Sequence, residues 1–303
     1  MLKKFIRSIA ALAGLAAAPG LAATTALPDA DPAIWMVKDK DTTLYLFGTV
    51  HALDGKQDWL NDEVKTAFDA SSELVLEVIT PDNPAELMPL LSKYAIDTSG
   101  RTLTSKLAPK YQAALAAALK RHNLKPQHLD LYKPFFASIM LSSLDFNQAG
   151  FTAEAGAEAV LRKQATAQGK RIDAVETMDK QMSFFAALDE PKQIALLEQT
   201  LGEGGSKINQ DIGRLVAAWS RGDADRVAAE LRAADTDSPE LYRLLLVDRN
   251  REWADWIDRR MDQPGTVFMA VGAGHLAGPD SVQQFLKKRG IRSKRLKANY
   301  RVQ

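Results

Sequence analysis

Two stretches, Thr43-Leu-Tyr-Leu-Phe-Gly-Thr-Val-His51 and Thr266-Val-Phe-Met-Ala-Val-Gly-Ala-Gly-His275, decide the fold. The first is rich in aromatic and β-favouring residues, which suit a pleated, packed surface. The second is uniformly apolar up to Val271, as a strand buried on both faces must be. Each run ends in a glycine followed by a histidine, Gly48-Thr-Val-His51 and Gly272-Ala-Gly-His275. Buried strands with glycine turns at their ends belong to α/β architectures, in which helices cover the sheet.

The surrounding chain fits that frame. Residues 33–38 read as a strand, and the polar turn Asp39-Lys-Asp-Thr42 joins it to 43–47 as a hairpin. Residues 58–70 carry Leu60, Val64, Ala67 and Phe68 at helical spacing. A third strand is expected over 73–79, giving a βαβ-like unit that Pro81 and Pro84 close. Helices are expected over 106–122, 134–144 and 152–168, followed by a short strand at 170–175. Residues 191–261 are again helical, with breaks expected at Gly202, Gly204 and Gly205, at Gly222 and at Pro239. After the strand at 266–271 come a helix at 278–288 and an edge strand at 293–297. The expectation is one α/β domain over 24–303: a central mixed β-sheet flanked by helices, with a large helical insertion.

The N-terminus reads as an export signal. Lys3, Lys4 and Arg7 precede an apolar run over 9–18, then Pro19 and Gly20, with small residues at Ala22 and Ala23. This is the layout of a secretory signal peptide over 1–23, cleaved after Ala22 or Ala23. The run is too short to span a bilayer. The mature chain is therefore expected to be periplasmic or secreted, with no membrane partner after cleavage. With no cysteine in the sequence, a lipid-anchored lipoprotein, a thiolate metal site, an iron–sulfur cluster and a cysteine nucleophile are excluded together. Hydrophobic residues make up 46% and charged residues 25%, with a formal net charge of +1. That balance offers no basic field for nucleic acid, so partners must be inferred from a site: a peptide or a small-molecule substrate.

Ligands in open α/β sheets gather at the carboxyl ends of strands. His51 and His275 are both expected there, with a helix N-terminus following each. Glu77 interrupts the apolar run Leu74-Val-Leu-Glu-Val-Ile79, where a charge needs a partner or a purpose. Glu176 follows Ala174-Val175 at the end of the next strand. Two histidines and one or two carboxylates suit a divalent ion such as Mn, Co, Zn or Fe, and such an ion suits hydrolysis. The self-sufficient H-E-x-x-H motif is absent. His122 and His128 lie among polar residues and read as surface. Ser142 and Ser143 lack a G-x-S-x-G elbow, and Gly202-Glu-Gly-Gly205 lacks the lysine of a P-loop. Trp219, Trp253 and Trp256 read as helix packing.

The whole pattern resembles the TraB/PrgY/GumN family. The resemblance rests on Trp35 with Leu44-Tyr-Leu-Phe-Gly-Thr-Val-His51, on the strand carrying Glu77, and on Phe268-Met-Ala-Val-Gly-Ala-Gly-His-Leu-Ala-Gly-Pro279. Between them lie Gly156-Ala-Glu158, Gly169-Lys-Arg-Ile-Asp-Ala-Val-Glu-Thr177, Trp219 with Gly222-Asp223, and Arg249-Asn250 with Trp253. The sequence departs from the pattern at Ala174-Val175, where Gly-Leu is commoner. The resemblance implies kinship with the Tiki proteins, regarded as metal-dependent proteases, and an erythromycin-esterase/ChaN-like (EreA/ChaN-like) fold. It implies a metal-dependent hydrolytic site with His51, Glu77 and His275 at its core. Glu158 and Glu176 would be supporting ligands or a general base, and Arg249 would polarise a carbonyl or bind a carboxylate. The alternative expectation is a non-catalytic periplasmic protein that sequesters a peptide or a haem-like ligand. A third, drawn from the GumN name alone, is an accessory of polysaccharide export.

Overall fold

The computed structural model describes residues 27–232, 239–297 and 300–302, so the expected export signal at 1–23 lies outside the described residues. Six strands form one mixed sheet: β1 (Ile34–Lys38), β2 (Thr42–Thr49), β3 (Glu73–Leu76), β4 (Arg171–Ala174), β5 (Gly265–Gly272) and β6 (Ser293–Arg295). Their order across the sheet is β4-β3-β5-β2-β1-β6. β2, β3, β4 and β5 run parallel, while β1 pairs antiparallel with both β2 and β6. The expected hairpin is β1–β2, and the expected edge strand is β6. The helix α1 (Asp62–Ala70) links β2 to β3, but these strands are not neighbours. β5 enters between them, so the βαβ-like unit is split by a strand from near the other end of the chain.

Side-chain alternation along the central strands sorts the core into two layers. Tyr45, Phe47, Leu74, Leu76, Phe268 and Ala270 face one layer. Leu44, Leu46, Val75, Val267, Met269 and Val271 face the other. This period-2 split explains why β2, β3 and β5 read as continuous apolar runs: both faces are covered. The second layer is roofed by α8 (Asp248–Met261) and α9 (Val282–Lys288), through Trp253, Ile257 and Phe285. The first is roofed by α1, α3 (Pro134–Gln148), α4 (Ala157–Ala167), α5 (Met178–Ala186), α6 (Glu190–Ser220) and α7 (Ala224–Arg232). Away from the sheet, α2 (Pro109–Arg121) packs with α3 and α6 in a satellite core containing Leu115, Leu119, Leu141 and Leu197. This is the expected helical insertion. Among the described residues no helix is long and apolar enough to cross a membrane.

Several local expectations need correction. No break occurs at Gly202, Gly204 or Gly205, because α6 runs through them. A glycine in a helix interior costs only about 1 kcal/mol relative to Ala, and α6 is pinned on both sides of this stretch. Ser138 and Thr200 share a 2.7 Å hydrogen bond on one side, and Ile212, Val216 and Trp219 enter the core on the other. The third strand stops at Leu76 rather than 79, leaving Glu77 just past its end. His122 is not a surface residue: its side chain is 5% exposed, with Nε2 2.7 Å from the equally buried Asp145 Oδ1. Its polar sequence neighbours hid a partner supplied by another helix.

Candidate functional site

The register of the sheet fixes where the candidate residues gather. Thr49 pairs with Gly272 at the ends of adjacent parallel strands, so the turns carrying His51 and His275 leave the sheet at the same level. Beyond β3 and β4 the backbones stay paired, with Val175 N–H donating to Leu76 O and Glu176 N–H to Glu77 O, both at 3.0 Å. Glu77 and Glu176 therefore stand side by side at the same carboxyl edge. The helices do not start where expected: α1 begins only at Asp62, and after a short 3-10 turn at Ala273–Leu276, α9 begins only at Val282.

The centre forms around Gly272. A Cβ on this residue would lie 3.3 Å from His51 Nε2, 3.5 Å from Glu77 Oε2 and 3.6 Å from His275 Cδ2. Its N–H donates to Glu77 Oε2 at 3.3 Å. The absent side chain thus leaves a small space bounded by both histidines and one carboxylate oxygen.

His51 is held from behind. Its Nδ1 contacts Glu158 Oε1, which also accepts from Thr49 Oγ. Glu158 lies in the first turn of α4, and that helix start is docked on the His51 backbone. Ala157 N–H donates to Val50 O at 3.0 Å, and a Cβ on Gly156 would come within 2.0 Å of His51 O. The other oxygen, Glu158 Oε2, is buried without a hydrogen-bond partner among the described residues.

His275 is held by α8. Asn250 Nδ2 donates to Asp280 O at 2.6 Å, which turns Asn250 Oδ1 towards His275 Nδ1 at 2.5 Å. Nδ1 therefore carries the proton, and the Nε2 lone pair accepts from Arg249 Nη1 at 3.2 Å. The ring lies on Trp253 with centroids 4.2 Å apart.

Arg249, 1% exposed, ties the carboxylates together. Its Nε donates to Glu176 Oε1 at 2.9 Å, and its Nη2 donates to Glu176 Oε2 at 2.7 Å and to Glu77 Oε1. Trp253 Nε1 donates to Glu176 Oε1 at 3.1 Å. Gln181 Nε2, from α5, donates to Glu77 Oε1 at 3.0 Å and to Glu176 Oε2 at 3.2 Å. A buried charge needs such partners. Glu77 Oε2 is the one oxygen of this carboxylate pair that Arg249, Trp253 and Gln181 leave facing Gly272.

The electrostatics follow from these contacts. Burial alone would raise Glu77, but neighbouring positive charge, the Arg249 guanidinium above all, holds it down to about 2. Burial pulls His275 well below the ordinary histidine value, and the neighbouring Arg249 charge adds to that. Burial also disfavours the imidazolium of His51, yet the Glu158 carboxylate outweighs it and leaves that pKa raised.

All six residues singled out from the sequence thus meet at one edge of the sheet: His51 with Glu158, and Glu77, Glu176, Arg249 and His275 in one hydrogen-bonded cluster. Sequence reasoning missed Asn250, Gln181 and Thr49; Trp219 and Trp253 pack in the cores as expected, and each also makes a hydrogen bond at the site. Trp253 bonds Glu176 and packs against His275 with the rings tilted by 40°. Trp219 Nε1 donates to Gly48 O at 2.6 Å, which fixes the first glycine turn. The only available signal was that Arg249 and Trp253 share a helix face at i and i+4.

The donor set suits a divalent ion. The His51 Nε2 lone pair is aimed into the space because Glu158 holds Nδ1, the arrangement that orients ligand histidines. His275 is kept neutral, the form that ligates. The ligand atoms of His51, Glu77 and His275 are spread more widely than those of the exposed Asp29, Asp31 and Asp62, which lie within 4.8 Å of one another. Closing on one ion would require these side chains to draw together and Arg249 to leave His275 Nε2.

The TraB/PrgY/gumN family profile matches residues 33–295, nearly the whole described chain. The chain belongs to the TraB/PrgY/gumN family. It is similar to an uncharacterized protein of Treponema pallidum, 23% identical with 85% of this chain and 80% of that one covered. It is also similar to the uncharacterized protein YbaP of Escherichia coli, 22% identical over 84% of this chain and 92% of that one. Among animal proteins, Metalloprotease TIKI1 of Danio rerio is 23% identical over 89% of this chain, which spans 64% of that relative's length. No solved structure matches.

Proposed function

We propose that this family member is a metal-dependent hydrolase of peptidase type, exported to the periplasm or secreted. The observation that carries the reading is the convergence of His51 Nε2, Glu77 Oε2 and the His275 ring on the space left by Gly272. The similarity to a protein named as a metalloprotease supports it. His51 Nε2, Glu77 Oε2 and His275 Nε2 would hold the ion, which supplies Lewis acidity towards a carbonyl oxygen and lowers the pKa of water.

The remaining roles belong to the chain itself. Glu158 holds His51 through Nδ1, on the side of the ring away from the ion, so it acts as a positioning residue rather than a shared ligand. Arg249 and Trp253 engage Glu176 fully, which makes Glu176 the anchor of Arg249 rather than a base. Arg249 and Gln181 fix Glu77 through Oε1 and so leave Oε2 as the oxygen that would hold the ion. For His275 Nε2 to serve as a ligand, Arg249 Nη1 would have to give up its 3.2 Å hydrogen bond to it.

A second reading is favoured by one observation: with Arg249 in place, both carboxylates and His275 Nε2 are already satisfied. A closed network of this kind suits a binding protein that sequesters a peptide or a haem-like ligand without turnover. Metal content of the purified mature protein, beside that of a His51→Ala/His275→Ala variant, separates the two. Near-stoichiometric Mn, Co, Zn or Fe in the parent and none in the variant is expected. Equal trace metal in both, after each ion has been supplied, overturns the hydrolase.

A further inference from the structure

Beside the centre lies a cavity of about 290 Å³, bounded by α3, α5 and the segment 84–91. Its walls include Leu91, Phe135, Phe136, Ile139 and Met182, and none of the residues lining it is charged. Gln181 belongs to the same wall. Its amide donates to Glu77 at 3.0 Å and to Glu176 at 3.2 Å, so one side chain borders both the apolar cavity and the carboxylates.

We propose that this cavity is the specificity pocket of the centre, taking an apolar side chain of the size of Leu, Met or Phe from a peptide substrate. The inference rests on the hydrolase reading and names its substrate class. The volume supports it: an engineered cavity of about 150 Å³ is enough for benzene, so this one admits a single large side chain with room to adjust. The walls support it too. A charged side chain would lose its water there and find no partner.

The pocket should select by polarity more than by shape. Methionines at 88, 140, 178 and 182 contribute to the lining, and their unbranched thioethers re-pack around different apolar shapes. Met88 stands at the rim, 56% exposed, where a substitution does not disturb packing.

The test uses end-blocked, fluorescein-labelled hexapeptides identical except for one central residue: Leu, Met, Phe, Asp or Lys. Binding is read by anisotropy with the full-length mature protein and with the His51→Ala variant, and cleavage is read separately by mass spectrometry. The apolar peptides are expected to bind about tenfold to a hundredfold more tightly than the Asp peptide in both proteins. Met88→Glu should shrink that ratio and favour the Lys peptide, and Ile139→Trp, which fills the cavity, should abolish the preference. Selective binding without cleavage sinks the hydrolase and leaves the pocket standing. Cleavage with no apolar preference, or a preference unchanged in both variants, sinks the pocket and leaves the hydrolase. If no peptide binds while a free fatty acid does, the peptide side chain is the wrong occupant.

Discussion

Replacing Gly272 by Ala places one methyl group in the middle of the candidate centre and changes little else. The Gly272 backbone lies at φ −47° and ψ 130°, which an L-residue adopts without strain. Fewer unfolded conformations would even favour the variant by about 0.4–1 kcal/mol. Against that stands the contact of the new Cβ with His51 Nε2 at 3.3 Å, followed by Glu77 Oε2 and His275 Cδ2. These are side-chain atoms that have only to give by a few tenths of an ångström, so the cost lies at the low end of the roughly 1–3 kcal/mol of overpacking. The two terms nearly cancel, and Tm should move by no more than about 4 °C. The effect on an ion is of another order. Its ligands must approach to about 2.0–2.2 Å, and the methyl occupies the space between them. Metal uptake and turnover should therefore vanish from a protein that melts almost normally, as followed by calorimetric metal titration and thermal unfolding. A Gly272→Ala protein that binds metal and turns over like the parent would refute the location of the site. A fall in Tm beyond about 10 °C would show instead that Gly272 serves packing.

Gly156→Ala should behave in the opposite way, because its Cβ would meet the His51 carbonyl at 2.0 Å and neither backbone can yield. A loss above about 2 kcal/mol is expected in urea unfolding, and a smaller one would mean that α4 is not docked on His51. Asn250→Ala leaves the buried His275 Nδ1 proton without its acceptor, a loss of about 1–3 kcal/mol. Nitrogen NMR would show His275 drifting from a single tautomer, and an unchanged spectrum would contradict the assignment. In the metal-free protein the two histidines should titrate on opposite sides of about pH 6.5, the unfolded value. The depressed His275 contributes stability that is complete above about pH 6.5 and is lost as pH falls. The raised His51 contributes stability that is complete below about pH 6.5 and is lost as pH rises through its folded pKa. Urea midpoints between about pH 6.5 and 5 should fall in the parent and stay flatter in His275→Gln; parallel curves would remove His275 as the cause.

Reading the sequence reached some of this and not the rest, for identifiable reasons. β2 and β5 were legible because burial on both faces removes polar residues from a strand. Glu77 was legible because a charge in such a run stands out. The insertion of β5 between β2 and β3 was not, since a parallel pairing such as Leu44 with Val267 leaves no local mark. The glycines of α6 misled because propensity is local while the packing that overrides it is not. Asn250 and Gln181 escaped because their part depends on how α8 and α5 cross the sheet, which helical periodicity does not specify.

The split βαβ-like unit also dictates when the centre comes into being. Every parallel contact of β2, from Thr42 with Gly265 to Thr49 with Gly272, joins opposite ends of the chain. Such distant pairings close slowly and late. A nascent chain that has not yet delivered β5 holds His51 and Glu77 but has neither Gly272 between them nor His275 opposite. The centre is thus withheld until β5 has been made, and a fragment cut short of Gly265 lacks both Gly272 and His275.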